Sequence, residues 1–130
     1  MEVCRAMRFL FWKALIGLFV YDMLLLNRNL AKMCRLVRDW RVSSRIGAAD
    51  AVEQVSLAMN YACIWYPKHI LCLQRSAVTT CLLRHVGLSA QMVMGARQIP
   101  FKAHAWTELH GRAINERTDV QSKYRVWDRC

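Results

Sequence analysis

Residues 71–97 read LCLQRSAVTTCLLRHVGLSAQMVMGAR, and this stretch decides the fold because its hydrophobic period changes part-way along. In the first part, apolar side chains recur at helical spacing, at Leu73, Ala77, Cys81 and Leu82. Gly87 follows where the end of a helix favours a residue with positive φ. The stretch therefore predicts a helix that starts near Cys72 and ends before Gly87.

After Gly87 the period shortens to two, which is typical of a strand. Every second residue is apolar, at Ala90, Met92, Met94 and Ala96. Further strands are predicted at 103–109 and 112–116, on either side of His110-Gly111, and a fourth at 124–127. Helices first and an antiparallel meander last indicate the α+β class.

The N-terminal half is predicted to be helical, since Leu, Met, Ala, Arg and Lys dominate it and the first proline is Pro67. A break is expected at 42–47, where two serines and a glycine interrupt the pattern. The following helix would begin near Ala48 and turn five side chains inward, namely Val52, Val55, Leu57, Met59 and Cys63. We divide the chain into a helical region, 1–63, and a core, 64–130.

Residues 9–26, FLFWKALIGLFVYDMLLL, form the one segment of this sequence that approaches membrane-spanning length. Lys13 and Asp22 interrupt it, and the sequence after it is a poor signal-peptide cleavage site. The prediction is a buried helix. A helix that lies on a membrane surface or binds a partner is the alternative.

Composition limits the classes of function. The 130 residues are 55% hydrophobic and 22% charged, as in a globular domain, and the net charge of +10 favours an acidic partner. The arginines are spread along the chain, without zinc-finger spacing, an aromatic RNA-binding signature or a helix-turn-helix pair. We therefore expect no nucleic-acid ligand.

The six cysteines are widely spaced and include no C-x-x-C pair, which disfavours both a disulfide framework and a structural zinc site. They are interpreted as reduced thiols of a cytoplasmic protein, with Cys81 in the core. No metal or other cofactor is expected.

Cys72 and His104 could form a nucleophile–base pair. Free N–H groups and the helix dipole at the start of a helix favour the thiolate of Cys72, which is the nucleophilic form. His104 lies in Ala-His-Ala-Trp, and on a strand it would share a face with Trp106 and Glu108.

A third group must orient the imidazole, and the register of the predicted hairpin decides which. A three-residue loop with Gly111 in the left-handed conformation would set Glu108 opposite Arg112 and His104 opposite Glu116. This register pairs opposite charges, so Glu116 is the predicted orienting acid.

A two-residue turn is the rival arrangement. It would set Glu108 opposite Ala113 and His104 opposite Arg117. Asp119 is the reserve acid if the strand ends earlier.

Four segments together resemble the transglutaminase-like superfamily: 72–76 (CLQRS), 82–87 (LLRHVG), 94–97 (MGAR) and 103–111 (AHAWTELHG). More narrowly, the chain is similar to the leader peptidases of lasso-peptide biosynthesis, in the split form where the protease is a separate small chain. The resemblance covers roughly residues 60–120. It implies that Cys72 and His104 are catalytic. The third residue in that family is usually aspartate, whereas this chain offers Glu116, with Asp119 three residues later.

The resemblance also implies a function. The substrate would be a ribosomally made precursor peptide, cleaved between leader and core. The partners would be a separate leader-recognition protein and an ATP-dependent lasso cyclase that takes the freed core. A non-catalytic binding or scaffold protein and an amide-crosslinking transglutaminase are the alternatives.

Overall fold

The computed structural model describes residues 2–27, 29–43, 50–98, 101–114 and 120–130. The helices are α1 (Glu2–Leu26), α2 (Leu30–Asp39), α3 (Ala51–Trp65), α4 (Cys72–His85) and the short α5 (Val120–Lys123). The strands are β1 (Gln91–Gln98), β2 (Phe101–Leu109), β3 (Arg112–Ile114) and β4 (Arg125–Arg129). The predicted α+β class is confirmed.

The helical region breaks earlier than the sequence pattern suggested. α1 ends at Leu26, and the side chain of Asn29 accepts a hydrogen bond from the Lys32 backbone N–H at 3.3 Å, which caps α2. This break was not predicted, because the apolar pattern continues across it. Most of the predicted break at 42–47, and the expected helix start at Ala48, lie outside the described residues.

α3 turns most of its predicted inward residues toward the core. Val55 and Met59 are fully buried, one turn apart, but Leu57 is 49% exposed, so its predicted inward orientation is wrong. A residue midway between two residues of one turn points to the opposite side of the helix, because each residue advances by about 100°.

α4 is the central helix and lies between α1 and the sheet. On one side, the Gln74 side chain donates a hydrogen bond to the backbone oxygen of Leu18 in α1 at 2.7 Å. On the other side, the hydroxyl of Thr107 in β2 donates to the backbone oxygen of Ser76 at 3.0 Å. The helix ends as predicted, with Gly87 at φ 96°.

The four strands form an antiparallel sheet in the order β3-β2-β1-β4. The predicted meander is wrong in one respect: β4 does not follow β3 at the same edge but pairs with β1 at the other edge. Backbone hydrogen bonds between Met92 and Cys130, at 2.8 and 3.0 Å, extend this pairing.

The hairpin between β2 and β3 has a two-residue turn. Leu109 pairs with Arg112 and Glu108 pairs with Ala113, while His110 and Gly111 have φ of 52° and 78°. Positive φ at both central residues is the geometry of a type I′ turn. The predicted three-residue loop is therefore wrong, and the rival register is the one observed.

Two apolar clusters cover the two faces of the sheet. The main core joins α1–α4 to the face of β2 that carries Ala105 and Leu109. A small second cluster on the opposite face is built on Val93 and Trp106. Helices from the predicted region 1–63 and strands from 64–130 share the main core.

α1 buries one face and exposes the other. Leu10, Ala14, Leu18 and Tyr21 lie in the core, which agrees with the predicted buried helix for that side. The opposite side carries large apolar side chains that are 39% to 62% exposed: Phe9, Trp12, Ile16, Phe19, Val20, Met23 and Leu26. In length and composition the segment Met7–Leu26, with a mean hydropathy of 1.9, would also suit a membrane-spanning helix, but core helices of soluble proteins and signal sequences share these properties.

Candidate active site

Cys72 is the first residue of α4, as the sequence predicted. The preceding residue, Leu71, provides no side-chain hydrogen bond to cap the helix, so its side chain does not compete for the first-turn N–H groups. Cys72 is half-buried and packs at the edge of the main core. As the first residue of the helix, Cys72 lies at the positive end of the helix dipole.

The first two turns of α4 are fixed by hydroxyl groups. Ser76 Oγ donates to the backbone oxygen of Cys72 at 2.7 Å, and Thr80 Oγ1 donates to the backbone oxygen of Ser76 at 2.8 Å. Thr80 and Thr107 hydroxyls lie 3.2 Å apart, which connects this part of α4 to β2. The position of Cys72 relative to the sheet therefore depends on buried polar contacts as well as on apolar packing.

His104 lies on β2 opposite Gly95 of β1. Its ring stacks against Trp106, with centroids 6.0 Å apart and an interplanar angle of 24°, as expected from their shared strand face. Tyr124 also contacts His104, with ring centroids 5.5 Å apart. Sequence reasoning missed Tyr124, because it reaches the histidine only through the pairing of β4 with β1.

Trp106 is held in turn by a buried carboxylate. Its indole Nε1 donates to Glu108 Oε2 at 2.8 Å, and Arg129 Nη1 donates to Glu108 Oε1 at 2.8 Å. The predicted ion pair of Glu108 with Arg112 is therefore wrong, since the charge partner comes from β4. Burial alone raises the pKa of Glu108, but the hydrogen bonds from Arg129, Gln121 and Trp106 outweigh it and hold that pKa below its usual range.

Gly95 makes room for these aromatic rings. A Cβ atom at this position would lie 3.0 Å from Trp106 Cη2, 3.0 Å from the Arg125 backbone oxygen and 3.1 Å from Tyr124 Cβ. Only a residue without a side chain lets the rings lie this close to β1. The glycine opposite His104 is therefore part of the local architecture.

Cys72 and His104 line the same cleft, which has a volume of about 360 Å³. The cleft lies where the first turns of α4 meet β2, and Arg75, Thr107 and Ile114 complete much of its wall. Thr107 faces α4, whereas His104 belongs to the sheet face that carries Trp106 and Tyr124. The two predicted catalytic residues thus line one open cavity. Cys72 belongs to α4, whereas His104 belongs to the face of the sheet opposite the one that α4 packs against.

The two candidates for the third residue, Glu116 and Asp119, lie outside the described residues. The register that favoured Glu116 is not the observed one, so the choice between these two acids stays a prediction. Within the described part of β2, Glu108 is the acidic residue on the His104 face, and it is bonded to Trp106 and Arg129.

Comparison with known protein families matches residues 17–128 to the transglutaminase-like superfamily. The chain belongs to the transglutaminase-like superfamily. This superfamily includes cysteine peptidases. The match begins within α1, so it extends well beyond the segments around Cys72 and His104 on which the resemblance was based. Searches of curated proteins and of solved structures found no match.

Other thiols of this transglutaminase-like chain are poorer candidates for a nucleophile. Cys81 is buried in the core beside the Tyr21 hydroxyl, 3.2 Å away, and burial raises its pKa. Burial also raises the pKa of Cys63, and it raises that of Cys34 to about 11. These thiols are protonated at neutral pH, and none of the three lines the cleft.

Proposed function

We propose that this transglutaminase-like chain is a cysteine peptidase that removes the leader from a ribosomally made precursor peptide in lasso-peptide maturation. The observation that carries the proposal is the cleft shared by Cys72, at the first turn of α4, and His104, on β2. The resemblance of 72–111 to the lasso leader peptidases supplies the substrate class. The reaction would take place in the cytoplasm, where the precursor is made.

In the proposed mechanism His104 takes the proton of Cys72 or holds the thiolate as an ion pair. The thiolate attacks the scissile carbonyl, the amine leaves with a proton from the imidazole, and water hydrolyses the thioester. The backbone N–H of Cys72 is a donor for the oxyanion, and each such donor contributes about 3 kcal/mol to transition-state stabilisation. Glu116 or Asp119 would orient the imidazole.

Cleavage of a precursor by purified protein tests this proposal. Cys72→Ala and His104→Ala should each lower kcat by on the order of 10⁴-fold or more, with circular dichroism unchanged. Cys63→Ala is the matched control, because it removes a thiol that lies outside the cleft, and it should retain activity. A Cys72→Ala variant that still cleaves would refute the proposal.

The rival activities differ in what captures the thioester. A crosslinking transglutaminase would transfer the acyl group to an added primary amine, whereas the proposed peptidase releases free acid even when the amine is present. A non-catalytic scaffold would show no preferential labelling of Cys72 by a thiol-reactive peptide probe. Mass spectrometry of the products and of the labelled protein distinguishes the three.

The exposed face of α1 is the proposed docking surface for the separate leader-recognition protein. Beside it, an apolar groove of about 430 Å³ runs between α1, α2 and α4, lined among others by Ile16, Val20 and Trp40. Lys13 and His85 meet at its rim, with Nζ and Nε2 2.7 Å apart. A groove of this kind suits apolar side chains of a partner protein with a polar rim around them. The lasso cyclase would then take the freed core peptide.

This docking proposal predicts slow cleavage by the isolated chain and faster cleavage when the recognition protein is added. Phe19→Glu should abolish the acceleration and leave the unassisted rate unchanged. Phe101→Glu, at a phenylalanine on β2 that is even more exposed (76% against 56% for Phe19), should keep the acceleration. An equal response of both variants would contradict docking on α1.

A further inference from the structure

We propose that Arg75 forms, beside Cys72, a subsite for a carboxylate-bearing group of the substrate. The inference deepens the proposed function and rests on it only in taking Cys72 as the reacting thiol. Arg75 follows Cys72 by three residues on α4, which puts both side chains on one face of the helix. Both line the same cleft.

The charge of Arg75 is not neutralised by the partner it holds. Its Nη2 donates to Asn60 Oδ1 of α3 at 2.9 Å, and an amide oxygen carries no formal charge. Among the described residues that line the cleft there is no aspartate or glutamate, and the acid proposed to orient His104 would be bonded to that imidazole and not to Arg75. A guanidinium has five N–H donors in a planar fork, so a bond to Asn60 leaves donors that can bind a carboxylate.

The hydrogen bond to Asn60 also limits where the guanidinium can lie. Arg75 is half-buried, and its side chain bridges α3 and α4 rather than extending into solvent. An arginine side chain that one hydrogen bond already holds in place loses less conformational entropy when a ligand binds its remaining N–H donors. The cleft therefore combines a nucleophile and a preoriented cation, which favours an acidic residue or a terminal carboxylate close to the scissile bond.

The experiment compares two alkylating agents of similar size on the intact protein. Iodoacetate carries a carboxylate and iodoacetamide is its neutral counterpart. In both reactions the Cys72 thiol loses its proton to the solvent, the sulfur forms the new C–S bond, and iodide leaves with the C–I electron pair. Peptide mapping by mass spectrometry gives the alkylation rate of Cys72 with each agent. Because the reactivity of the thiol affects both rates, their ratio reports only the preference of the site for the anionic agent.

In the wild type the iodoacetate-to-iodoacetamide ratio at Cys72 should exceed that of Arg75→Gln by about fivefold, the upper size expected for one solvent-screened ion pair. Arg75→Lys keeps the positive charge and should restore most of the ratio. Arg35→Gln, which removes the same charge from an exposed position on α2, should leave the ratio at the wild-type value.

The outcomes are distinguishable from those of the proposed function. An equal ratio in wild type and Arg75→Gln overturns the subsite, whatever the absolute rates are. A slow absolute rate at Cys72 with both agents counts against an activated nucleophile, while the ratio still reports on Arg75. A fall in the ratio for Arg35→Gln as large as for Arg75→Gln would show a general charge effect and would also overturn the subsite.

Discussion

At the residue scale, the surroundings of His104 are organised by ring packing and by one buried carboxylate. Trp106 and Tyr124 contact the imidazole, and their own centroids are 5.9 Å apart. Glu108 fixes the indole from the other side. The orientation of His104 therefore depends on side chains from β2, β4 and the segment between α5 and β4.

Gly95→Ala should destabilise the protein by about 1–3 kcal/mol, because the added methyl group would overlap Trp106 and the Arg125 backbone. Urea denaturation measures the loss. Gly111→Ala is the comparison: no atom lies within 4 Å of its Cβ position, so only its positive φ opposes the change, at a cost of about 1 kcal/mol. A Gly95→Ala protein as stable as the wild type would show that the rings do not lie as close as described.

Glu108→Gln should lower the free energy of unfolding by about 1–2 kcal/mol at neutral pH, because it removes the charge that accepts bonds from Arg129 and Trp106. The pKa of Glu108 is lowered in the folded protein. Its stabilising contribution is therefore complete above the ordinary carboxylate pKa of about 4.3 and is lost as the pH falls through the folded-state value.

Chemical denaturation at a series of pH values checks the direction in which the stabilising contribution of Glu108 changes with pH. The difference in stability between wild type and Glu108→Gln should shrink as the pH falls below the ordinary carboxylate pKa, because the carboxylate then becomes protonated. A difference that grew toward acid pH would mean that the carboxyl group is protonated in the folded state.

At the scale of elements, the contact between α4 and β2 sets the width of the cleft. Thr107 is buried, and its hydroxyl contacts both the Ser76 backbone oxygen and the Thr80 hydroxyl. The hydrogen bond from Thr107 to the Ser76 backbone oxygen fixes how far the helix carrying Cys72 stands from the strand carrying His104. Apolar packing alone tolerates sliding between layers, whereas directional hydrogen bonds specify one position.

Thr107→Val should destabilise the protein by about 1–2 kcal/mol, since valine keeps the shape and removes the buried hydroxyl. Thr79→Val is the control: Thr79 is also buried, but its hydroxyl donates to the Arg75 backbone oxygen within α4. We expect a loss below about 0.5 kcal/mol. Thermal unfolding gives both values. Equal losses would mean that the link to β2 contributes nothing of its own.

At the scale of the whole molecule, Arg84 connects three parts of the chain. Its guanidinium donates to the Ala90 backbone oxygen at 2.8 Å and to the Cys130 backbone oxygen at 2.9 Å. It also donates to the backbone oxygens of Val37 and Trp40, at the end of α2. One buried cation thus joins α2, the start of β1 and the end of β4.

Arg84→Met should reduce stability by about 3 kcal/mol or more, because four carbonyl groups lose a hydrogen bond from the guanidinium together. Arg84→Lys keeps the charge but offers fewer donors, and an intermediate loss is expected. Arg35→Met, at an exposed position on α2, should change stability by less than about 0.5 kcal/mol. Denaturant titration of the three variants gives the order of their free energies of unfolding. An Arg84→Met protein about as stable as the wild type would contradict the connecting role of Arg84.

The sequence by itself determined the features that local chemistry controls. The change of period from helix to strand identified α4 and β1, and it placed Cys72 at a helix start and Gly87 at a helix end. The motif around His104 assigned the superfamily, which the family comparison confirms. Hydrophobic periodicity and end signals act within a few residues, so they can be read without knowledge of the fold.

Only the tertiary structure decided which segments meet. His110 in the left-handed conformation gave no sequence signal for a type I′ turn, yet the two-residue register is the one that pairs Ile114 with Thr107 and so packs Ile114 against the main core. The pairing of β4 with β1 brought Tyr124 to His104 and Arg129 to Glu108. Such contacts join residues far apart in the chain, and their free energy depends on the packing of the whole sheet rather than on local propensity.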